Sequence, residues 1–585
     1  MMGGGTTLHE AIRMGANVIG IDVDPIPVLQ ARATLTGIPL DHKKKVFDSF
    51  FEELSNVISP LYVTSCPTCG KSSEIQYTLY GIRKKCRCHE IVMADNLILR
   101  HEKERTVRIC PSCHEIVSDD GHECRREAKT RMYDRDTDIC ESCGEKFEDC
   151  LEYPFSQRYA PVAIVGLCGK HGQFFKRPNG DEEEHLDEAS RRLGSLGFGR
   201  CKEVIAGPKS DDLIAHEVHY YEDLFTPRQL LYIEEARRIM ARYEPKDRLW
   251  LALLISTSLE FNSLLCGYKG SDIRRPGAIR HVFSHHAYTF PHTALENNPT
   301  FSQTTSGSLQ RLFQDRIAKA SEWAMKPLEV KVSGGKRKKV SIAGEVDQGV
   351  EVSDWKDLTS GARRFMLLHA DAGSVNIPPG LVDFVVTDPP YYDSVQYGDL
   401  SNFFRVWLEV LFPEYANWNY DVSKAAVASN GNANKDWYEE AMTRIWQTCH
   451  GALKPETGRL IFTYHHWRPE AWASLTNSLK GAKFSLVNHY VVFAENPISV
   501  HIKGLKALSH DSVLVLRPKR SGEAGKVWEE PQSIDRSSSY SFCRDCGFTL
   551  GWLLNSDYNS DEVLAQWKLK IGVDNGGKLS RGDLR

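Results

Sequence analysis

A mixed α/β fold interrupted by a long insertion is the class this sequence predicts, on three observations. The chain opens with a Gly-rich loop, a helix and a short apolar strand that ends in acid, from Gly3 to Asp22. The same alternation of apolar strands and amphipathic helices returns only from about residue 362. Between them, over roughly 320 residues, cysteines recur in C-x-x-C pairs set in polar sequence. The outer stretches therefore read as two pieces of one sheet, with the insertion looping out between two of its strands.

At 585 residues the chain has room for about three or four domains. With 41% hydrophobic and 26% charged residues, it is not mainly disordered, collagenous or membrane-spanning. The longest apolar stretch, Leu249 to Phe261, is too short and too interrupted to cross a bilayer. No basic region followed by an apolar run marks the first residues for export, so a cytoplasmic location is expected. Sixteen cysteines in that compartment point to metal rather than disulfides.

In chain order, Leu8, Ala11, Ile12 and Met14 give the first helix an apolar face, ended by Gly15. Asn17 to Asp22 has the pattern of a buried parallel strand. These make up a first part of the α/β domain over 1–50. Residues 60–175 form a Cys- and His-rich region with short β-like runs. A linker is expected over 176–225, with Asp181-Glu182-Glu183-Glu184 as a solvated run. Residues 226–345 read as a mainly helical, basic module, with helices over 226–265 and 308–327. A hairpin follows over Val330 to Val346, turning at Ser333-Gly334-Gly335. The second part of the α/β domain spans 362–520. Its strands are expected at 364–369, 382–387, 458–464, 484–493 and 512–517, with a helix at 436–453. Residues 521–585 form a C-terminal extension. The cysteine pairs are the only internal repeat.

Cys66-Pro67-Thr68-Cys69-Gly70 is a zinc knuckle, with two thiolates in reach of one ion and a glycine where the turn needs positive φ. Cys86 and Cys88 are the nearest second pair. Cys110 and Cys113 form a second knuckle, completed by His122 and Cys124. Cys140 and Cys143, followed by Gly144, form a third, with Cys168 and His171 as partners and Cys150 as a competitor. About two to three closed four-ligand sites are expected, structural rather than catalytic. Cys543 and Cys546 form a further knuckle without a neighbouring partner pair, either as free thiols or as part of a zinc shared between chains. Cys201, Cys266 and Cys449 stand singly and read as core.

Asp388-Pro389-Pro390-Tyr391 is the strongest catalytic signal. It follows the apolar run Val382 to Thr387, so it falls at the carboxyl end of a strand, where open α/β sheets place their ligands. The prolines stiffen the backbone and leave carbonyls free to accept. Asp388 beside such a carbonyl matches the two hydrogens of an exocyclic amine, and Tyr391 offers a face for a base. An ordinary strand-to-loop turn is the plainer alternative.

Together with the loop, this tetrapeptide resembles the amino-methyltransferases that act on DNA, in which a DPPY motif pairs with a Gly-rich S-adenosylmethionine loop. Met2-Gly3-Gly4-Gly5-Thr6-Thr7 with Glu10-Ala11 is similar to that loop, and Ile19 to Pro25 to the strand end that follows it. His369-Ala370-Asp371-Ala372 is similar to the element that contacts the cofactor's adenine. Leu453-Lys454-Pro455 and Gly458 to His466 are similar to the family's next helix end and strand. The resemblance covers roughly 2–40 and 362–520 and is nearest to large adenine-specific DNA methylases with zinc-ribbon insertions. It implies a Rossmann-like methyltransferase sheet whose long insertion carries zinc ribbons and a helical module. It implies N6-methylation of adenine in DNA, by direct in-line transfer to a flipped base, with Asp388, Pro389, Pro390 and Tyr391 at the reacting amine. Gly3, Gly5 and Thr6 would receive the cofactor's carboxylate, Asp22 its ribose (or, instead, cap the next helix) and Asp371 its adenine. Cytosine N4 has the same amine geometry. An RNA base methyltransferase and an inactive zinc-ribbon nucleic-acid binder are the competing readings. DNA is the implied partner, the nucleoid the implied place, and host defence or restriction a plausible setting.

From Leu265 to Val340 there are 13 Lys/Arg against 5 Asp/Glu, a balance of +8. The aromatics Tyr268, Phe283, Tyr288 and Phe290 are interleaved with them, a candidate DNA contact. Asn262, His285 and His286 are candidate base readers. In the family a strand ending in D-P-F precedes the Gly loop and lies between the strands ending at Asp22 and Asp388. Met1 stands where its Phe would be. The chain is therefore expected to be a fragment whose missing strand comes from an upstream polypeptide, and to bind S-adenosylmethionine weakly without it.

Overall fold

The computed structural model describes residues 2–101, 105–118, 122–124, 131–200, 202–272, 274–284, 286–392, 397–415, 417–418, 424–426, 435–494, 508–520 and 526–572. The chain divides into two compact units, both discontinuous in sequence. The first comprises Met1–Gly37, Ala324–Gly398 and Asn419–Arg585; the second comprises Ile38–Trp323 and Asp399–Trp418. The chain is mixed α/β, and the two outer stretches of sequence do join one unit.

In the first unit, Val18–Asp22 pairs in parallel with Arg364–His369, with Val18 opposite Phe365 and Asp22 opposite His369. Val350–Glu351 adds a third parallel strand on the far side of Arg364–His369. Leu8 and Ile12 of the helix Thr6–Arg13, and Val28, Ala31 and Leu35 of the helix Pro25–Leu35, cover this sheet at Val18, Phe365 and Leu367. Asp24 caps the second helix by accepting the Ile26 N–H at 2.9 Å, with Pro25 at the first helical position, where no N–H is needed.

A four-stranded sheet follows. Phe384–Thr387 runs parallel to Arg459–Tyr464; His510–Pro518 and Phe484–Phe493 then continue it antiparallel. Among the described residues, Val18–Asp22 and Phe384–Thr387 each pair on one side only. Phe384 and Val386, alternate residues and so on one face of their strand, are 60% and 48% exposed.

The C-terminal stretch is more than an extension. Helices Ser539–Leu554 and Ser560–Ile571 share the core of the four-stranded sheet, and Trp567 stacks on Trp472 at 5.2 Å. Cys543 and Cys546 lie three apart on the first of these helices and are fully buried in that core. The metal-knuckle reading of this pair is therefore corrected: inside a helix the pair packs as apolar side chains. Cys266 is likewise buried, and Cys449 packs against the same core. Cys201 lies outside the described residues.

The second unit is organised on one long strand, Ser72–Lys85. Tyr159–Cys168 pairs antiparallel with it from Glu74 to Ile82 and Thr293–Asn297 with its middle, from Tyr77 to Gly81, and Val63–Ser65, Glu90–Ala94 and Glu148–Asp149 pair at its ends. The Cys-rich region and the helical module thus share a sheet rather than forming separate domains. The stretch 176–225 is not a linker either. Gly180–Ser195 is a helix whose first turn holds the acidic run, a placement that the helix dipole favours. Glu182 is buried, accepting the Asn179 N–H and the Thr64 hydroxyl. Helices Pro227–Met240 and Pro245–Ser258 match expectation, the first opened by a Thr226–Gln229 capping box. The hairpin turns at Gly334-Gly335 as expected but belongs to the first unit.

Candidate active site and metal centres

Asp388 lies one residue beyond Phe384–Thr387, at the carboxyl end of the strand. Its Oδ1 accepts the Thr463 hydroxyl at 2.6 Å and the Tyr391 hydroxyl at 2.9 Å. Parallel pairing sets the first bond: Thr387 is opposite Phe462, so Thr463 follows alongside Asp388. The Tyr391 ring meets Tyr464 and His465 edge-on, at 5.3 and 4.9 Å. Burial, with the Asp511 and Asp388 carboxylates, pushes its hydroxyl well above the ordinary tyrosine range. Tyr391 therefore keeps its proton and braces the carboxylate. The Tyr438 hydroxyl donates to the Pro390 carbonyl at 3.0 Å. Among the described residues the Pro389 carbonyl accepts no hydrogen bond. His465 Nδ1 pairs with Asp511.

At the loop, Gly3 and Gly5 take left-handed backbone, φ 48° and 79°. A side chain at Gly3 or Gly4 would meet nothing within 4 Å, so the loop's outer surface is open. Gly5 caps the helix Thr6–Arg13 without a side-chain bond to its first amides. Asp22 Oδ2 accepts the Met2 and Gly3 N–H groups, each at 3.1 Å, and so pins the loop to the strand end. The alternative of Asp22 as a helix cap is not what occurs; Asp24 has that role. Asp371 follows the neighbouring strand end, its Oδ1 accepting the Gly373 N–H at 2.8 Å. The Ala370 N–H donates to the Asp22 carbonyl at 2.9 Å, which brings the loop, Asp22 and Asp371 to one end of one sheet.

The cysteines form three clusters, each with its four ligand atoms within 4.8 Å of one another: Cys66, Cys69, Cys168 and His171; Cys86, Cys88, Cys140 and Cys143; Cys110, Cys113, His122 and Cys124. The last set is the one expected from sequence. The other two are a correction, since Cys86 and Cys88 exchange places with Cys168 and His171. Distance along one strand forces this. Ser72–Lys85 has 14 residues and extends about 45 Å at about 3.4 Å each, carrying Cys86 far from Cys69. Antiparallel pairing of Leu167 with Glu74 returns Cys168 to the first end, and pairing of Glu148 with Lys85 brings the third knuckle to the second. Cys150 is buried outside all three sets; burial raises its thiol to about 11.

The knuckles share one backbone. Gly70, His114 and Gly144 donate to the carbonyls of Cys66, Cys110 and Cys140 at 2.8, 2.9 and 2.8 Å, with φ of 69°, 62° and 72°. Sulfur separations of 3.8 Å for Cys69–Cys168, 3.5 Å for Cys88–Cys140 and 3.3 Å for Cys110–Cys124 approach the ~3.8 Å edge of a zinc–thiolate tetrahedron. The N–H groups of Lys170 and His171 hold the Cys168 thiol down to about 6. At Cys140, burial pushes upward but the Cys143 and Ser142 amides prevail, again at about 6. The donor set and its amide cradles fit a thiophilic divalent ion.

The aromatics of the basic region do not form a stacking platform. Tyr268 and Tyr288 are buried, Phe283 packs on Phe403 and Phe404, and Phe290 stacks on His216. Asn262 is fully buried, accepting from Gln229, so it reads no base. His285 lies outside the described residues, and His286 is half-buried with φ 52°. Sequence reasoning missed Thr463, Tyr438, His465 and Asp511. The first three sit in or beside recognisable segments, whereas Asp511 reaches the site only through antiparallel pairing of Tyr464 with Ser512. No helix among the described residues is long and apolar enough to cross a membrane. Compared with protein-family models, curated proteins and solved structures, the chain gives no match in any of the three.

Proposed function

We propose that the chain is an S-adenosylmethionine-dependent DNA methyltransferase that modifies N6 of adenine and carries three structural zinc ions, acting in the cytoplasm at the nucleoid. The observation that supports this most is the joining, in one compact unit, of the loop Gly3–Thr7, Asp22 and Asp371 with Asp388–Tyr391, across more than 300 intervening residues. The cofactor, when bound, supplies an electrophilic methyl group. The open Gly loop and the uncapped amides of Thr6 and Thr7 suit its carboxylate, and Asp22 and Asp371 suit its hydroxyls and amine.

Thr463 and Tyr391 hold Asp388 by the same oxygen, which fixes the plane of the carboxylate. Asp388 and the Pro389 carbonyl then accept the two hydrogens of the target amine and direct its lone pair toward the methyl group. Each of the three Cys/His sets offers four ligand atoms, so a zinc ion held there would be fully ligated by protein and would serve the fold rather than the reaction.

Nucleoside mass spectrometry of DNA and RNA, from cells with and without the chain, tests the reading. Chain-dependent N6-methyladenine in DNA is the expected result; a mark confined to RNA, or to cytosine N4, replaces the substrate, and no mark at all removes the activity. Asp388→Ala should lower the mark by about 100-fold or more, the loss of one charged acceptor at the reacting group, with metal content and unfolding midpoint unchanged. Wild-type marking by that variant would take the tetrapeptide out of the mechanism.

A further inference from the structure

The hairpin of the first unit pairs Leu328–Ser333 with Lys336–Ser341 in unbroken register and joins no other strand among the described residues. Gly334 and Gly335 both have positive φ, 56° and 76°, the backbone of a tight two-residue hairpin turn. Five cations lie on this ribbon: Lys331, Lys336, Arg337, Lys338 and Lys339. None of them is in an ion pair among the described residues. The single acid, Glu329, is held by buried Arg13 at 2.6 Å, and Arg13 also takes Glu345 at 2.5 Å. The base of the ribbon is thus anchored, and its outer half is wholly positive.

Such a hairpin is costly. A two-stranded ribbon is marginal by itself, Lys331 stands directly opposite Lys338, and like charges so placed repel. Val330 and Val332, on one face, are 53% and 64% exposed. Charge that lowers the stability of the free ribbon is offset when a polyanion binds it.

We propose that this hairpin is a DNA-docking element that enters a groove of duplex DNA edge-on, so that Lys331, Lys336 and Lys338 on one face and Arg337 and Lys339, beside the valines, on the other reach the phosphates on either side. The inference deepens the reading above, on which the choice of DNA rests. Duplex DNA is favoured by charge and by size: the major groove, about 12 Å wide, admits a two-stranded ribbon, and exposed apolar side chains there meet thymine methyl groups. In the rest of the basic region Tyr268 and Tyr288 are buried, and Phe283 and Phe290 are engaged with Phe403, Phe404 and His216.

The test uses the full chain and its quadruple variant K336Q/R337Q/K338Q/K339Q, with a fluorescein-labelled random-sequence duplex of about 30 base pairs followed by anisotropy across a KCl series. Four lost phosphate contacts should reduce the slope of log affinity against log salt by about 3–4 and weaken binding at low salt at least ~10-fold. The single variant Lys338→Gln should unfold at the same or a higher temperature than wild type while binding DNA more weakly, which separates docking from folding. An unchanged slope, no duplex binding by the wild-type chain, or a loss confined to single-stranded RNA would each overturn the inference. If the quadruple variant loses duplex binding but the wild-type chain neither takes up S-adenosylmethionine nor marks DNA, the hairpin stands and the catalytic reading falls.

Discussion

Arg228 and Glu296 are wholly out of solvent, paired at 2.8 Å, with the Tyr62 and Tyr80 hydroxyls donating to the same carboxylate at 2.8 and 2.5 Å. Arg228 also donates to the Leu61 carbonyl and the Thr78 hydroxyl. One helix is thereby bolted to the central strand of the second unit and to its neighbour. Removing one partner strands a buried charge, so Arg228→Met should destabilise by about 3–5 kcal/mol. Replacing both, in R228M/E296Q, should recover part of that loss. Urea unfolding midpoints check the pair; a single variant as stable as wild type would mean that water reaches Glu296. None of this was visible in the sequence, where Glu296 is one of five acids in a basic stretch. Asp388, by contrast, was legible because two prolines and a preceding apolar run identify a strand end locally. Its bracing by Thr463 was not, since that bond depends on which strand lies next to it.

At the scale of elements, the knuckles were readable from four residues and the ligand sets were not. Cys-x-x-Cys closes a turn on itself, so Cys66, Cys110 and Cys140 each accept the amide four residues on, whatever surrounds them. The partner pair is chosen by strand pairing. Proximity in sequence suggested Cys86 and Cys88 for Cys66 and Cys69, and a 14-residue strand separates them. Double variants decide between the two assignments. C69S/C168S removes ligands from one cluster and should lose about one zinc per chain, whereas C69S/C86S removes ligands from two and should lose about two. Elemental analysis that returned the reverse pattern would restore the assignment by sequence neighbours.

At the scale of the molecule, the Cys-rich region and the helical module are one unit, because Thr293–Asn297 pairs with Ser72–Lys85 and Arg228 reaches Glu296 from the helix Pro227–Met240. Ligand binding is folding energy at such sites. Chelation should therefore raise amide exchange in residues 60–175, and also in Thr293–Asn297 and Pro227–Met240. Arg459–Tyr464 and His510–Pro518, in the core of the other unit, should stay protected. Hydrogen exchange with and without chelator reads this directly; a rise confined to 60–175 would show that the Cys-rich region unfolds by itself.

The sequence by itself determined what depends on a few adjacent residues. The strands Arg364–His369 and Phe484–Phe493 fall within their expected bounds, the hairpin turns at Gly334-Gly335, and the knuckles and Asp388 are in place, because apolar period, glycine backbone and proline stiffness act over one or two turns of chain. Tertiary structure alone decided the grouping of the cysteines and histidines into clusters, the burial of Glu182, Asn262, Tyr268 and Tyr288, the packing of Cys543 and Cys546 into a helix core, and the unit to which the basic hairpin belongs. Each of these turns on which distant segment lies alongside, and that is set by sheet register and core packing rather than by local pattern.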